Sequence, residues 1–151
     1  MASLDTLQPA IARIQGAIRQ FANGDPEPYK ACWSQAADGT IYGGWGAYER
    51  GGSQIEPRLK WAAARWRGGH TNFDLLALGT SSALAYTIWI EHGSARLAGI
   101  DEYRSILLRI THLYRQEGVA SKNVKCFFAK RGCGECSWRN LSPIYVTEVS
   151  L

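Results

Sequence analysis

The chain has 151 residues, 46% hydrophobic and 20% charged, a composition that fits one globular domain with its own core and excludes extended disorder. The net charge of +4 lies mostly at one end. Residues 1–118 carry 12 Lys/Arg against 11 Asp/Glu and residues 119–151 carry five against two, a near-neutral body with a basic tail that is only a weak nucleic-acid signal, and no nucleic-acid partner is expected.

Leu4, Leu7, Ile11, Ile14, Ile18 and Phe21 recur at steps of three and four, one face of an amphipathic helix. Pro9 places its regular start near residue 9, and "NGD" ends it at Gly24. Asp25 then caps a short helix with Pro26 at its first position and Tyr29, Cys32 and Trp33 at helical spacing. "TIY" reads as a strand running into "GGWGAYERGG". A third helix is expected from Ser53, because Ser53 and Glu56 have the spacing of a capping box. Its buried stripe is Ile55, Leu59, Ala62, Ala63 and Trp66, and Gly68 and Gly69 stop it.

From residue 71 the period changes to two. "TNFDLLALGTS", "ALAYTIWIEHGSARLAG" and "EYRSILLRITHLYRQEG" read as long antiparallel strands, with "NVKCFFAK" as one more. Helices first and a meander afterwards make an α+β protein. No stretch has the length of an apolar membrane span and the N-terminus lacks the pattern of a signal peptide. A cytoplasmic protein with reduced cysteines, without a membrane partner, is therefore expected.

The glycine-rich stretch "TIYGGWGAYERGG" has neither the spacing of a P-loop nor that of a dinucleotide fingerprint, and no lysine lies between Lys30 and Lys60. No cofactor is expected there. Of the four cysteines, Cys32, Cys126, Cys133 and Cys136, the last two form "CGEC". That pair follows an apparent strand instead of opening a helix, and Cys126, Cys133 and Cys136 supply only three metal ligands with no histidine after His112. An exposed turn is expected and no metal site.

"FANGDPEPYKACWS", "DGTIYGGWG", the capped helix from Ser53 and "LRITHLYRQEG" occur in the order and spacing of the nuclear transport factor 2-like superfamily. The chain resembles especially its SnoaL-like, ketosteroid isomerase-like branch, over about residues 5–118. The resemblance implies a cone-shaped α+β barrel, three N-terminal helices packed on a curved, mainly antiparallel sheet, with a deep apolar cavity at the open end. It also implies a homodimer through the outer sheet face. Members include isomerases, dehydratases, epoxide hydrolases and polyketide cyclases, and also non-catalytic transport and assembly domains. Beyond Gly118 the sequence departs from the family and reads as a replaced segment, with "NVKCFFAK" in the last strand slot. A cone-fold domain is thus expected over 1–137 and an irregular tail over 138–151.

The resemblance puts Gly43 where those enzymes carry a proton-moving aspartate, and their first-helix tyrosine falls near Ala17. Steroid-type isomerisation by that route is not expected. Glu91 and Arg109, charged groups in apolar strands, are the candidate catalytic ion pair, with His92 and His112 as the competing acid/base pair. Parity puts Ala85, Thr87, Trp89 and Glu91 on one face of their strand, and Arg109 with Thr111 on one face of the next, without naming the concave side. Tyr29, Trp33, Tyr42, Gly43, Trp45, Trp61, Thr87, Trp89 and Thr111 are the candidate ligand-binding residues. The functional expectation is binding, with or without transformation, of a small lipophilic ring-containing molecule, the reaction type unassigned. The alternative is a non-catalytic dimeric binding or assembly module of the same fold.

Overall fold

The computed structural model describes residues 4–43 and 48–117 and the backbone of 120–130; of residues 4–6 it describes the backbone alone. In chain order the elements are α1 (Leu4–Ala22), α2 (Glu27–Ala31), β1 (Thr40–Tyr42), β2 (Tyr48–Arg50), α3 (Gly52–Ala63), β3 (Trp66–Thr80), β4 (Leu84–Leu97), β5 (Arg104–Glu117) and β6 (Ala120–Lys130). The strands form an open six-stranded sheet in the order β2-β1-β6-β5-β4-β3. Every pairing is antiparallel except β1 with β6.

Leu7, Ile11, Ile14 and Ile18 of α1 are buried in one core with Ala85 and Trp89 of β4 and Ile110 and Tyr114 of β5. Helix α1 therefore lies across the face of the sheet to which these strand residues point. Tyr29 of α2 and Ile55 and Leu59 of α3 join the same core. At about 25 cal/mol per Å² of apolar surface removed from water, this shared burial is what holds helices to sheet. An Arg115 clamp ties the segment after α2 to the end of β5. Arg115 is bidentate to Asp38 at 2.7 and 3.1 Å and reaches Glu117 at 2.7 Å, while the Ser34 hydroxyl donates to Glu117 at 2.6 Å.

Four local expectations are corrected. Helix α1 starts at Leu4 and runs through Pro9, which so close to the N-terminus forfeits only one early backbone bond. The capping box does not form: the residue before α3 is Gly51, at φ 73°, with no side-chain cap. The Gln54 side chain instead accepts from the Arg50 amide at 3.0 Å. Gly68 and Gly69 do not stop a helix but lie in β3, which carries an irregularity between Trp66 and Gly69. Trp66 accordingly opens that strand and is not on the α3 stripe. Finally, the short strand β2 had no alternation long enough to be recognised.

The Asp25 side chain accepts from the Glu27 amide at 3.0 Å at the start of α2. Strand β6 contains "NVKCFFAK" and fills the slot between β5 and β1. Trp45, Cys133, Cys136 and the whole segment 138–151 lie outside the described residues. Among those described, no helix is long and apolar enough to cross a membrane.

Candidate functional site

Register decides which strand residues meet. In β4, Ala85, Thr87, Trp89, Glu91 and Ala95 are buried, and the alternate residues Tyr86, Ile88, Ile90 and His92 face the other way. Across the ladder Glu91 stands opposite Leu108, Trp89 opposite Ile110, Thr87 opposite His112 and Ala85 opposite Tyr114. The inner face of β5 is therefore Leu108, Ile110, His112 and Tyr114.

Arg109 and Thr111, opposite Ile90 and Ile88, belong to the outer face. The expected Glu91–Arg109 ion pair is thus corrected: one residue points inward and the other outward. The His92–His112 pair fails for the same reason. His92 is on the outer face, 3.1 Å from Asp74, whereas His112 is buried.

An open cavity of about 500 Å³ lies between the inner sheet face and the helices, with Ile18, Phe21, Tyr29, Leu59 and Ala62 on the helical side and Thr71, Glu91, Ala95 and Leu108 on the sheet. Gly43, Arg58, Trp66 and Arg104 also border it. Of the candidate residues named from the sequence, Glu91, Tyr29 and Gly43 line this space. Trp89 and His112 border a void of about 10 Å³ beside α1, room for a single water. Trp33 is fully buried in the core, Tyr42 packs its ring against Tyr48 at 5.6 Å, and Trp61 is exposed on α3. Arg58, Thr71 and Trp66 were missed, because only tertiary contact brings α3 and the start of β3 to the cavity.

Glu91 is the exceptional group. It is 6% exposed, flanked across the strands by Phe73 and Leu108, and has no ion pair or hydrogen bond among the described residues. Burial pushes its carboxyl up to about 7, since nothing nearby compensates the charged form. Such a group exchanges a proton readily near neutrality.

A second polar system lies four residues further along the same face, roughly 13 Å away at the rise of a strand. The Trp89 indole N–H donates to Thr87 Oγ1 at 2.6 Å, and Thr87 Oγ1 lies 2.8 Å from the Tyr114 hydroxyl. His112 Nδ1 is 3.4 Å from Tyr114 and its Nε2 is 3.4 Å from the Tyr29 hydroxyl. Thr87 is fully buried, and Tyr114 is the one acceptor its hydroxyl proton has among the described residues. One arrangement consistent with these distances has Thr87 donating to Tyr114, Tyr114 to His112 Nδ1, and the His112 Nε2–H to Tyr29. The imidazole is neutral, burial pushing it down to about 3. Among the described residues no three His, Cys, Asp or Glu side chains gather as a metal site would require.

No family model and no curated protein matches the chain. Solved structures do. A ketosteroid isomerase-like protein from Erwinia carotovora atroseptica superposes with a TM-score of 0.74 at 13% identity, covering 85% of this chain and 96% of the other. A nuclear transport factor 2-like superfamily protein from Salmonella enterica serovar Typhimurium gives 0.70 at 18%, covering 87% and 94%. The fold is that of the nuclear transport factor 2-like proteins. A candidate scytalone dehydratase from Novosphingobium aromaticivorans shares it at a TM-score of 0.68 and 12% identity, covering 97% of this chain and 100% of its own. Within the nuclear transport factor 2-like fold the cavity of this chain lies between helices and sheet, and its chemistry rests on this chain's own residues.

Proposed function

We propose that the protein binds a small lipophilic, ring-containing molecule in the cavity between α1, α3 and the inner sheet face. In this reading the sheet curls around the helices as a cone, the cavity is its deep open end, and Glu91 is the group that meets the ligand's polar atom. The single observation that supports it is the Glu91 carboxyl, held in an apolar wall without a protein partner. A polar group kept there costs stability unless something satisfies it, which is the situation a ligand resolves.

Near neutral pH Glu91 has two uses. Protonated, it donates to a carbonyl or hydroxyl oxygen; ionised, it accepts a proton from an acidic O–H or C–H of a bound molecule. Tyr29, whose hydroxyl lies 3.4 Å from His112 Nε2, supplies a second polar position on the helical wall. The ketosteroid isomerase-like and dehydratase-like structures of the same fold are consistent with chemistry on ring substrates. A homodimer through the outer face is proposed with it, since Tyr86, Ile88 and Ile90 leave that face apolar and partly exposed.

The test is a thermal-shift and native mass spectrometry screen with neutral one- to three-ring alcohols and ketones. At least one class is expected to raise the melting temperature of the wild type and to do so less with Glu91→Ala. If no ring compound binds, the cavity is not a ligand site and the assembly reading takes its place.

A further inference from the structure

The cavity has a second polar pole that the reading above does not use. Arg58 leaves α3 beside β1 and borders the cavity next to Gly43. Its Nε lies 3.3 Å from Glu49 Oε1, and its guanidinium lies 4.5 Å from the centre of the Trp61 ring. One edge is thus tied by an ion pair and the plane is set by an aromatic face. The terminal Nη1 and Nη2 donate to no described residue. Arg58 is also only 20% exposed, so water meets little of this charge.

Gly43 keeps the guanidinium open. A Cβ built at residue 43 would stand in contact with the guanidinium, 3.7 Å from Arg58 Nη2 and 3.8 Å from Nε. With glycine, no described side chain fills the space facing the planar fork. A fork of two N–H donors is matched by a carboxylate, which takes both in parallel bonds. The nearby Glu49 neutralises part of the charge but occupies the Nε side.

Arg58, on α3, and Glu91, on β4, both border the cavity, and no ion pair joins them among the described residues. The same wall is largely apolar, with Leu59, Ala62, Ile41, Phe21 and Leu108 among its residues. The cavity wall thus combines a cationic fork, apolar surface and a protonatable carboxyl.

We propose that Arg58 is the anion-recognition subsite of the cavity and that the ligand is an apolar organic acid, a carboxylate carried on a ring or chain. The assignment rests on the cavity being a ligand site. It narrows the occupant from lipophilic molecules in general to amphiphilic ones, with the carboxylate at Arg58 and the body lying toward Glu91.

The test compares two matched probe pairs, 2-naphthoate with 2-naphthamide and dodecanoate with dodecanamide, by calorimetric titration at about pH 6, where Glu91 is mostly protonated. In the wild type the acid of at least one pair should bind at least tenfold more tightly than its amide. Arg58→Gln should bring that ratio to near one, and Arg58→Lys should retain part of it as a point charge without the fork. Gly43→Asp is the second variant, since it places an internal carboxylate on the guanidinium at a position with ordinary contact distances, and it too should abolish the preference. Circular dichroism and melting curves establish that the variants fold.

Amides binding as tightly as acids in the wild type would overturn the assignment while leaving the cavity reading intact. An acid preference that survives both Arg58→Gln and Gly43→Asp would also overturn it, placing the anion at another cation such as Arg104. Failure of all four probes to bind would contradict the assignment, and failure of the neutral ring panel as well would contradict the cavity reading itself.

Discussion

At the scale of single residues, Glu91 and His112 give the molecule an opposed pair of titrations. Glu91 is raised to about 7 from an ordinary 4.5, so between those values the folded chain holds a proton that the unfolded chain has lost. Its contribution to stability falls as pH rises through that window, by about 1.4 kcal/mol per unit. His112 is lowered to about 3 from 6.5, so below 6.5 the unfolded chain takes up a proton that the folded one refuses, and stability falls as pH drops toward 3. Between about 4.5 and 6.5 the two slopes cancel. Denaturant unfolding of the wild type should therefore vary little over that interval, whereas Glu91→Gln should gain stability with rising pH there; an identical profile for both proteins would show that Glu91 titrates normally. Thr87 offers a second test at this scale. Thr87→Val keeps the shape but removes the hydroxyl that accepts from the Trp89 indole and contacts Tyr114, leaving the buried indole N–H without that acceptor at a cost of about 1–3 kcal/mol. A variant as stable as wild type would mean that the bond from the Trp89 indole to Thr87 does not form.

At the scale of elements, close approach between strands matters more than propensity. Gly93 of β4 stands opposite Thr71 of β3, and a Cβ there would run into the His70 carbonyl oxygen and come within 3.2 Å of Thr71 Cα. These are backbone atoms that cannot step aside, so Gly93→Ala should cost about 2–3 kcal/mol in urea unfolding. Gly16, inside α1 with nothing within 4 Å of its would-be Cβ, should behave oppositely. Gly16→Ala should stabilise by about 0.5–1 kcal/mol, as expected for a helix interior. Equal effects of the two substitutions would contradict the packing described. The same elements show what was legible in the sequence. Alternation alone grouped Thr87, Trp89 and Glu91 on one face of β4, and period-3.6 spacing alone marked the core face of α1. It could not relate one strand to the next: Glu91 pairs with Leu108, not Arg109, and that one-residue step sends Arg109 and Thr111 to the outer face and separates His92 from His112. Nor could it see that Gly68 and Gly69 sit within a strand, because a glycine pair after a helical stripe signals a stop as readily as a bulge.

At the scale of the whole molecule, the site is assembled from distant segments, which is why so little of it was readable. Gly43 follows β1, Arg58 is on α3, Tyr29 on α2 and Glu91 on β4, and only the sheet order and the packing of helices on its inner face bring them around one space. The outer face carries the proposed self-association. If Tyr86 lies in a dimer interface, Tyr86→Asp should convert a sedimenting dimer to a monomer without a comparable loss of helix and strand signal; a wild type that already sediments as a monomer would contradict the dimer. The most direct test of the cavity as a ligand site is a carbon-13 NMR titration of the Glu91 carboxyl, assigned by its loss in Glu91→Gln, with and without saturating 2-naphthol. A midpoint near 7 that moves when the ligand is added is the predicted result. A midpoint near the ordinary 4.5, unmoved by the ligand, would contradict both the burial of Glu91 and its place in a binding site.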